Sequence, residues 1–116
     1  MRNTTGTYSI ALGLAVLGLW AMILTGEPLP EGRTELAFHI GSEILMALGC
    51  IAAGVLLLRG APTARPAAAA AHAMVVYSCL NAAGYYAERG EVAVALVMTA
   101  LALISATVAA AQILRR

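Results

Sequence analysis

The chain contains no lysine and no aspartate, a single tryptophan, a single phenylalanine and two cysteines. Only 11% of its 116 residues are charged, where soluble domains usually carry about 25%. Too few charges are present to cover a molecule with a water-facing surface. The two cysteines, Cys50 and Cys79, both lie inside apolar runs, which excludes a disulfide framework of loop cysteines and makes them small, soft packing residues. Net charge is +1 with no basic tract, so nucleic acid is not an expected partner. Cys-x-x-Cys, His-Glu-x-x-His and Gly-rich phosphate loops are missing, and neither Ser42 nor Ser78 sits in a nucleophile elbow.

What the chain does have is apolar length. Hydrophobic residues make up 61% of it, and they gather in four runs, about 8–25, 35–58, 67–87 and 92–114. Each is near the roughly 20 residues that an α-helix needs to cross about 30 Å of hydrocarbon. The third is the least apolar, because it holds His72, Ser78 and Asn81. Glycine, proline and charge collect in the connectors 26–33, 59–66 and 88–91. Thr34 is the expected cap of the second helix with Glu35 in its first turn, and Pro66 suits the first turn of the third. Short links make consecutive helices antiparallel neighbours. The predicted fold is therefore all-α: an integral membrane four-helix bundle, up-down-up-down, in one transmembrane domain over residues 1–116. The first run follows Arg2 as a signal peptide would. It is longer than the usual core of about 7–15 residues, however, and reads as a retained span.

Arg2, Arg59, Arg65, Arg115 and Arg116 fall on one side of a four-span arrangement. Arg33 and Arg89 fall on the other, with Glu27, Glu31, Glu88 and Glu91. The positive-inside rule then places both termini and the 59–66 connector in the cytoplasm. Small residues recur at helical spacing: Ala11, Ala15 and Gly18 in helix 1, Gly49 and Ala53 in helix 2, and Ala95, Thr99, Ala102, Ala106 and Ala109 in helix 4. These faces are expected to pack within the bundle, and a homodimer contact is their alternative use.

The polar residues concentrate on two faces. Glu35, His39, Ser42, Glu43, Met46 and Cys50 share one side of helix 2; Tyr77, Asn81, Gly84, Tyr85 and Glu88 share one side of helix 3. Glu43 lies eight residues beyond Glu35, roughly 12 Å along the helix, too deep for its short side chain to reach water. An acid within a span is costly against lipid, so it is expected to face a partner or a wet cavity. His39 stands one turn before it, so the two can share a proton and titrate together. We expect Glu43 and His39 to act as an acid–base pair. Asn81, Tyr85, Tyr77, Ser42 and Trp20 are expected to bind a small apolar ligand beside them, and Met22 and Met98 to complete the wall. His72 falls toward the opposite end of its helix and reads as an interfacial residue. A third metal ligand is not clearly placed, so neither a metal site nor a cofactor is expected.

Two segments carry a resemblance. Phe38-His39-Ile40-Gly41-Ser42-Glu43, with Asn81-Ala82-Ala83-Gly84-Tyr85-Tyr86, resembles a group of short prokaryotic four-span proteins. Those have His-x-x-x-Glu early in helix 2 and Asn-x-x-Gly-Tyr-Tyr late in helix 3. The likeness implies the plasma membrane of a prokaryote and transfers no activity. In size and number of spans the chain also resembles the small multidrug resistance transporters, but it departs from them in having no acid between Tyr8 and Thr25. The His-x-x-x-Glu spacing is similar as well to the sterol-isomerase-like group. Three function classes follow: proton transfer or binding at an outer-leaflet pocket, proton-coupled transport, and an accessory subunit of a membrane complex.

Overall fold

In a computed structural model, residues 2–26 and 32–114 are described. They form four α-helices and no strand: α1 Arg2–Leu24, α2 Arg33–Arg59, α3 Ala64–Glu88 and α4 Val92–Leu114. All four are long and apolar enough to cross a membrane. Glu27, Glu31, Arg115 and Arg116, which entered the orientation argument, lie outside the described residues.

Leucine and alanine, both strong helix formers, fill these segments, and the one helical proline, Pro66, sits in the first turn of α3, where its missing N–H costs nothing. Glycine ends α2. Gly60 adopts the left-handed conformation (φ 66°, ψ 29°). The N–H groups of Gly60 and Ala61 then turn back to the carbonyls of Leu57 and Leu56, at 3.1 and 3.0 Å. This is the Schellman pattern that satisfies the last carbonyls of a helix. Gly90 (φ 76°) plays a similar part after α3. The start of α2 departs from the sequence reading: its N-cap is Gly32, which offers no side-chain bond, and Thr34 is already helical.

The chain divides into two compact units, Met1–Ala61 and Pro62–Arg116. Each is an antiparallel pair of helices.

The first unit is closed by glycine. Gly6 lies against Gly54, and Gly13 against Ala47. A Cβ on Gly13 would stand 2.6 Å from the Ala47 carbonyl oxygen, and one on Gly54 would stand 2.6 Å from the Gly6 carbonyl oxygen. The α1 and α2 backbones thus touch at two levels about two turns apart. Leu12, Met46, Cys50, Ala53 and Leu57 are buried. The same register brings the Arg2 guanidinium to Gly60, with Nη1 2.9 Å from where a Cβ would stand, at the negative end of the α2 dipole. This contact surface also explains why α1 starts at Arg2 and not at Tyr8. Gly6 packs on Leu58, so the polar first turns have a partner to fold against.

The small residues predicted to pack in α1 are not the ones that meet α2. Ala11, Ala15 and Gly18 are exposed, and the buried side is Gly6, Ser9, Leu12, Gly13 and Trp20. In α2 Gly49 is only half-buried, while Ala47 and Gly54 make the close approach.

The second unit is closed by alanine around a polar pair. Ala64, Ala68, Ala71, Val75, Cys79 and Ala83 of α3 are buried, as are Ala95, Ala102 and Ala109 of α4. Thr99 and Ala106, expected on the same α4 stripe, are exposed. Near one end the Arg65 side chain donates to the Gln112 carbonyl at 3.0 Å, again a cation at the C-terminus of the opposite helix.

Candidate functional site

The Glu43 turn of α2 follows from its helical phase. Met46, Ala47 and Cys50 turn inward toward α1 and are buried. Glu43, three residues before Met46, lies at the margin of that face and is half-buried. His39, one turn earlier on the same side, is exposed. Within the first unit the pair thus stands at the edge of the α1–α2 contact, because the α2 phase that buries Cys50 leaves it there.

One neighbour does close on it. Trp20 of α1 is buried, and its ring meets the His39 imidazole edge to face, with centroids 5.0 Å apart and planes at 79°. The antiparallel register that places Gly13 on Ala47 carries Trp20 to the first turns of α2. An aromatic ring there fixes one side of the imidazole and keeps water from it. Trp20, His39 and Glu43 thus gather in the first unit, within one and a half turns of α2. Ser42 is exposed, and its hydroxyl donates to the Phe38 carbonyl at 2.8 Å, a bond to its own helix. Met22 is 73% exposed.

The remaining candidates belong to the second unit. Tyr77, Asn81, Gly84, Tyr85 and Glu88 do share one side of α3, and all are exposed. That side turns away from the stripe of Ala64, Ala68, Ala71 and Val75 that packs on α4. Tyr77 is 74% exposed. Tyr85 stacks edge-on with Tyr86 at 5.1 Å, and the Arg89 guanidinium carbon lies 3.6 Å over its ring. Met98 is half-buried in α4.

Sequence reasoning missed a second polar pair. His72 and Ser105 are both 0% exposed, and His72 Nδ1 lies 3.2 Å from the Ser105 hydroxyl, joining α3 to α4. His72 is a core residue, not an interfacial one. The available signal was its spacing: it falls one turn after Ala68 and three residues before Val75, on the alanine side of α3. Among the described residues no buried side-chain nitrogen or oxygen lacks a hydrogen-bond partner, and no three His, Cys, Asp or Glu side chains converge as a metal site.

Residues 1–116 match a family described as a domain of unknown function, DUF8058, and the chain belongs to it. No curated protein and no solved structure matches the chain.

Proposed function

We propose that this DUF8058 chain is an integral membrane protein of a prokaryotic plasma membrane, a four-helix bundle in up-down-up-down order with both ends facing the cytoplasm. Its working site lies in the outer leaflet at Trp20, His39 and Glu43, where it binds a small apolar ligand and moves a proton to or from it. The supporting observation is the setting of His39 and Glu43. Two ionisable groups stand one turn apart on a helix apolar enough to span a membrane, with an aromatic ring 5.0 Å from the imidazole. Ionisable residues at such depth are costly as packing and mark functional sites. Glu43 accepts or supplies the proton, His39 shares it, and Trp20 offers the apolar wall. A margin open on one side suits a ligand that enters from lipid.

The test compares wild type with Glu43→Gln, purified in parallel from native membranes, with the small apolar molecules extracted from each identified by mass spectrometry. Gln keeps the volume and hydrogen bonding and cannot ionise. A species retained by wild type and lost or chemically altered in Glu43→Gln supports the reading; identical profiles from equally folded proteins end it. The orientation has its own check. A cysteine at Gly32 should react with an impermeant maleimide from outside and one at Thr63 only from the cytoplasm.

A second reading rests on the exposed side of α3. Tyr77, Asn81, Tyr85 and Glu88 suit an accessory subunit that docks a polar partner helix. In that case Asn81→Leu, not Glu43→Gln, removes function.

A further inference from the structure

Each helix pair carries different charge at its two ends. In the first unit Arg33 and Glu35 stand where α2 begins, and Arg2 and Arg59 stand at the opposite end. In the second unit Glu88, Arg89 and Glu91 surround the α3–α4 turn, and Arg65 stands at the opposite end. Arg33 and Arg89 thus each have a carboxylate within two residues. Arg2, Arg59 and Arg65 have none. Along α2 the carboxylate nearest to Arg59 is Glu43, sixteen residues away, or roughly 24 Å. Along α3 the carboxylate nearest to Arg65 is Glu88, twenty-three residues away, or roughly 35 Å.

The α1–α2 register brings Arg2 and Arg59 together. Arg2 Nη1 lies 2.9 Å, and its guanidinium carbon 3.7 Å, from where a Cβ on Gly60 would stand. The Arg2 head therefore rests on the residue next to Arg59, whose Cα is about 3.8 Å further along the chain. Both arginines are exposed. Among the described residues neither makes a side-chain hydrogen bond or ion pair, whereas Arg65 spends a donor on the Gln112 carbonyl at 3.0 Å. Arg2 and Arg59 thus keep five N–H donors each for an outside acceptor. Their depth is set by helix length. The 27 residues of α2 extend roughly 40 Å, against about 30 Å of hydrocarbon and about 40–45 Å with both headgroup layers. In a spanning helix its last residue, Arg59, stands at the level of the lipid phosphates.

We propose that Arg2 and Arg59 form a headgroup site for an anionic phospholipid of the phosphatidylglycerol class, with the phosphodiester held between the two guanidiniums. The planar guanidinium fork matches a pair of phosphate oxygens. Charge selects the lipid. Two cations with no carboxylate beside them favour a headgroup of net negative charge and repel the ammonium of a zwitterionic one. The mixed ends of the helix pairs, where carboxylates neighbour Arg33 and Arg89, lack this preference. The site lies at the opposite end of the first unit from Trp20, His39 and Glu43 and rests only on the reading that the helices span a membrane.

The experiment follows thermal unfolding of the full chain in dodecyl maltoside on adding dioctanoyl phosphatidylglycerol, dioctanoyl phosphatidylcholine or inorganic phosphate. A ligand of the folded state raises the melting temperature with its concentration. The glycerol lipid should do so with an apparent affinity about ten-fold tighter than the choline lipid, and inorganic phosphate at the same concentration should not. Arg2→Gln and Arg59→Gln should each weaken the effect by about five-fold, the share of one arginine at an anionic surface. Arg33→Gln, the same change of charge beside Glu35, should leave it within about two-fold of wild type. Arg59 follows the last buried residue of α2, Leu57, so Arg59→Gln carries the test should Arg2→Gln fail to fold. Equal shifts from the two lipids overturn the proposal. So does an equal loss in Arg33→Gln, which makes the effect one of net charge alone, and so does an equal shift from phosphate, which makes the site one for free anions. A chain soluble without detergent removes the membrane premise, and the proposal with it, an outcome distinct from the others.

Discussion

The two helix pairs solve the same packing problem with opposite means. In the first, α1 and α2 approach until backbone meets backbone at Gly6, Gly13 and Gly54, and the ionisable residues His39 and Glu43 stay at the edge. In the second, alanines hold α3 and α4 far enough apart to admit an imidazole, and the ionisable residue His72 sits in the middle, bonded to Ser105. Both pairs place an arginine from the start of one helix, Arg2 or Arg65, at the end of its partner. The two histidines thus stand in different settings. His72 is enclosed and paired across the helix interface. His39 is exposed at the edge of its pair, against a tryptophan and with an acid one turn away.

The sharpest break should come at Gly13. Gly13→Leu drives a Cβ to 2.6 Å from the Ala47 carbonyl, so the helices must separate. Overpacking usually costs about 1–3 kcal/mol, and a rigid backbone neighbour puts this variant at about 3 kcal/mol or more. Gly18→Leu is the control, because nothing lies within 4 Å of that position; it should gain up to about 1 kcal/mol of helix propensity. Reversible unfolding in mixed micelles of dodecyl maltoside and sodium dodecyl sulfate measures both.

Next in size is His72→Ala. It empties the centre of the second pair and removes a bond between two fully buried groups, a loss of about 2–3 kcal/mol. His72→Phe should recover most of the packing and none of the bond. If both variants unfold like wild type, the second pair is not organised around this contact.

These sites also mark where the sequence was and was not legible. Four helices could be read directly, since long apolar runs without internal proline have few other solutions. The α3 side of Tyr77, Asn81, Gly84, Tyr85 and Glu88 was legible too, because polar residues at helical spacing define a face. The packing faces were not. Helix α1 has small residues on every side, among them Gly6, Ser9, Ala11, Gly13, Ala15 and Gly18, and periodicity alone does not choose between Gly6–Gly13 and Ala11–Gly18. The choice is made by α2, through the opposition of Gly54 and Ala47. His72 was misread for a related reason. Its position toward a helix end suggested an interfacial residue, while the decisive fact was a serine 33 positions later on another helix.

Ser105→Ala tests the same contact more gently. It deletes one oxygen and leaves little void. Hydrogen bonds between helices in membranes average about 0.6 kcal/mol and reach about 1.7, so a loss of about 1 kcal/mol is expected. In a double-mutant cycle with His72→Phe the two losses should fall short of additive, because either change removes the shared bond. Additive losses would mean that the 3.2 Å contact contributes nothing of its own.

The smallest effects on stability are expected at the residues proposed to work on the ligand. His39 is exposed and Glu43 half-buried, and glutamine replaces either with similar volume and a hydrogen-bonding amide. Glu43→Gln should shift unfolding by less than about 0.5 kcal/mol, the range of changes outside the core, and His39→Gln by up to about 1 kcal/mol, because it removes the ring contact with Trp20. Fluorescence separates a silent change from an inert site. Trp20 is the single tryptophan of the chain, and its ring lies 5.0 Å from the His39 imidazole, so indole emission comes from this site. His39→Gln should alter the intensity, because it replaces the imidazole that meets the indole edge to face with an amide. His72→Phe, in the other unit, should leave the emission of the folded protein unchanged while lowering its stability. A large stability loss in Glu43→Gln would place this residue with His72 as a packing element and remove the distinction between the two helix pairs.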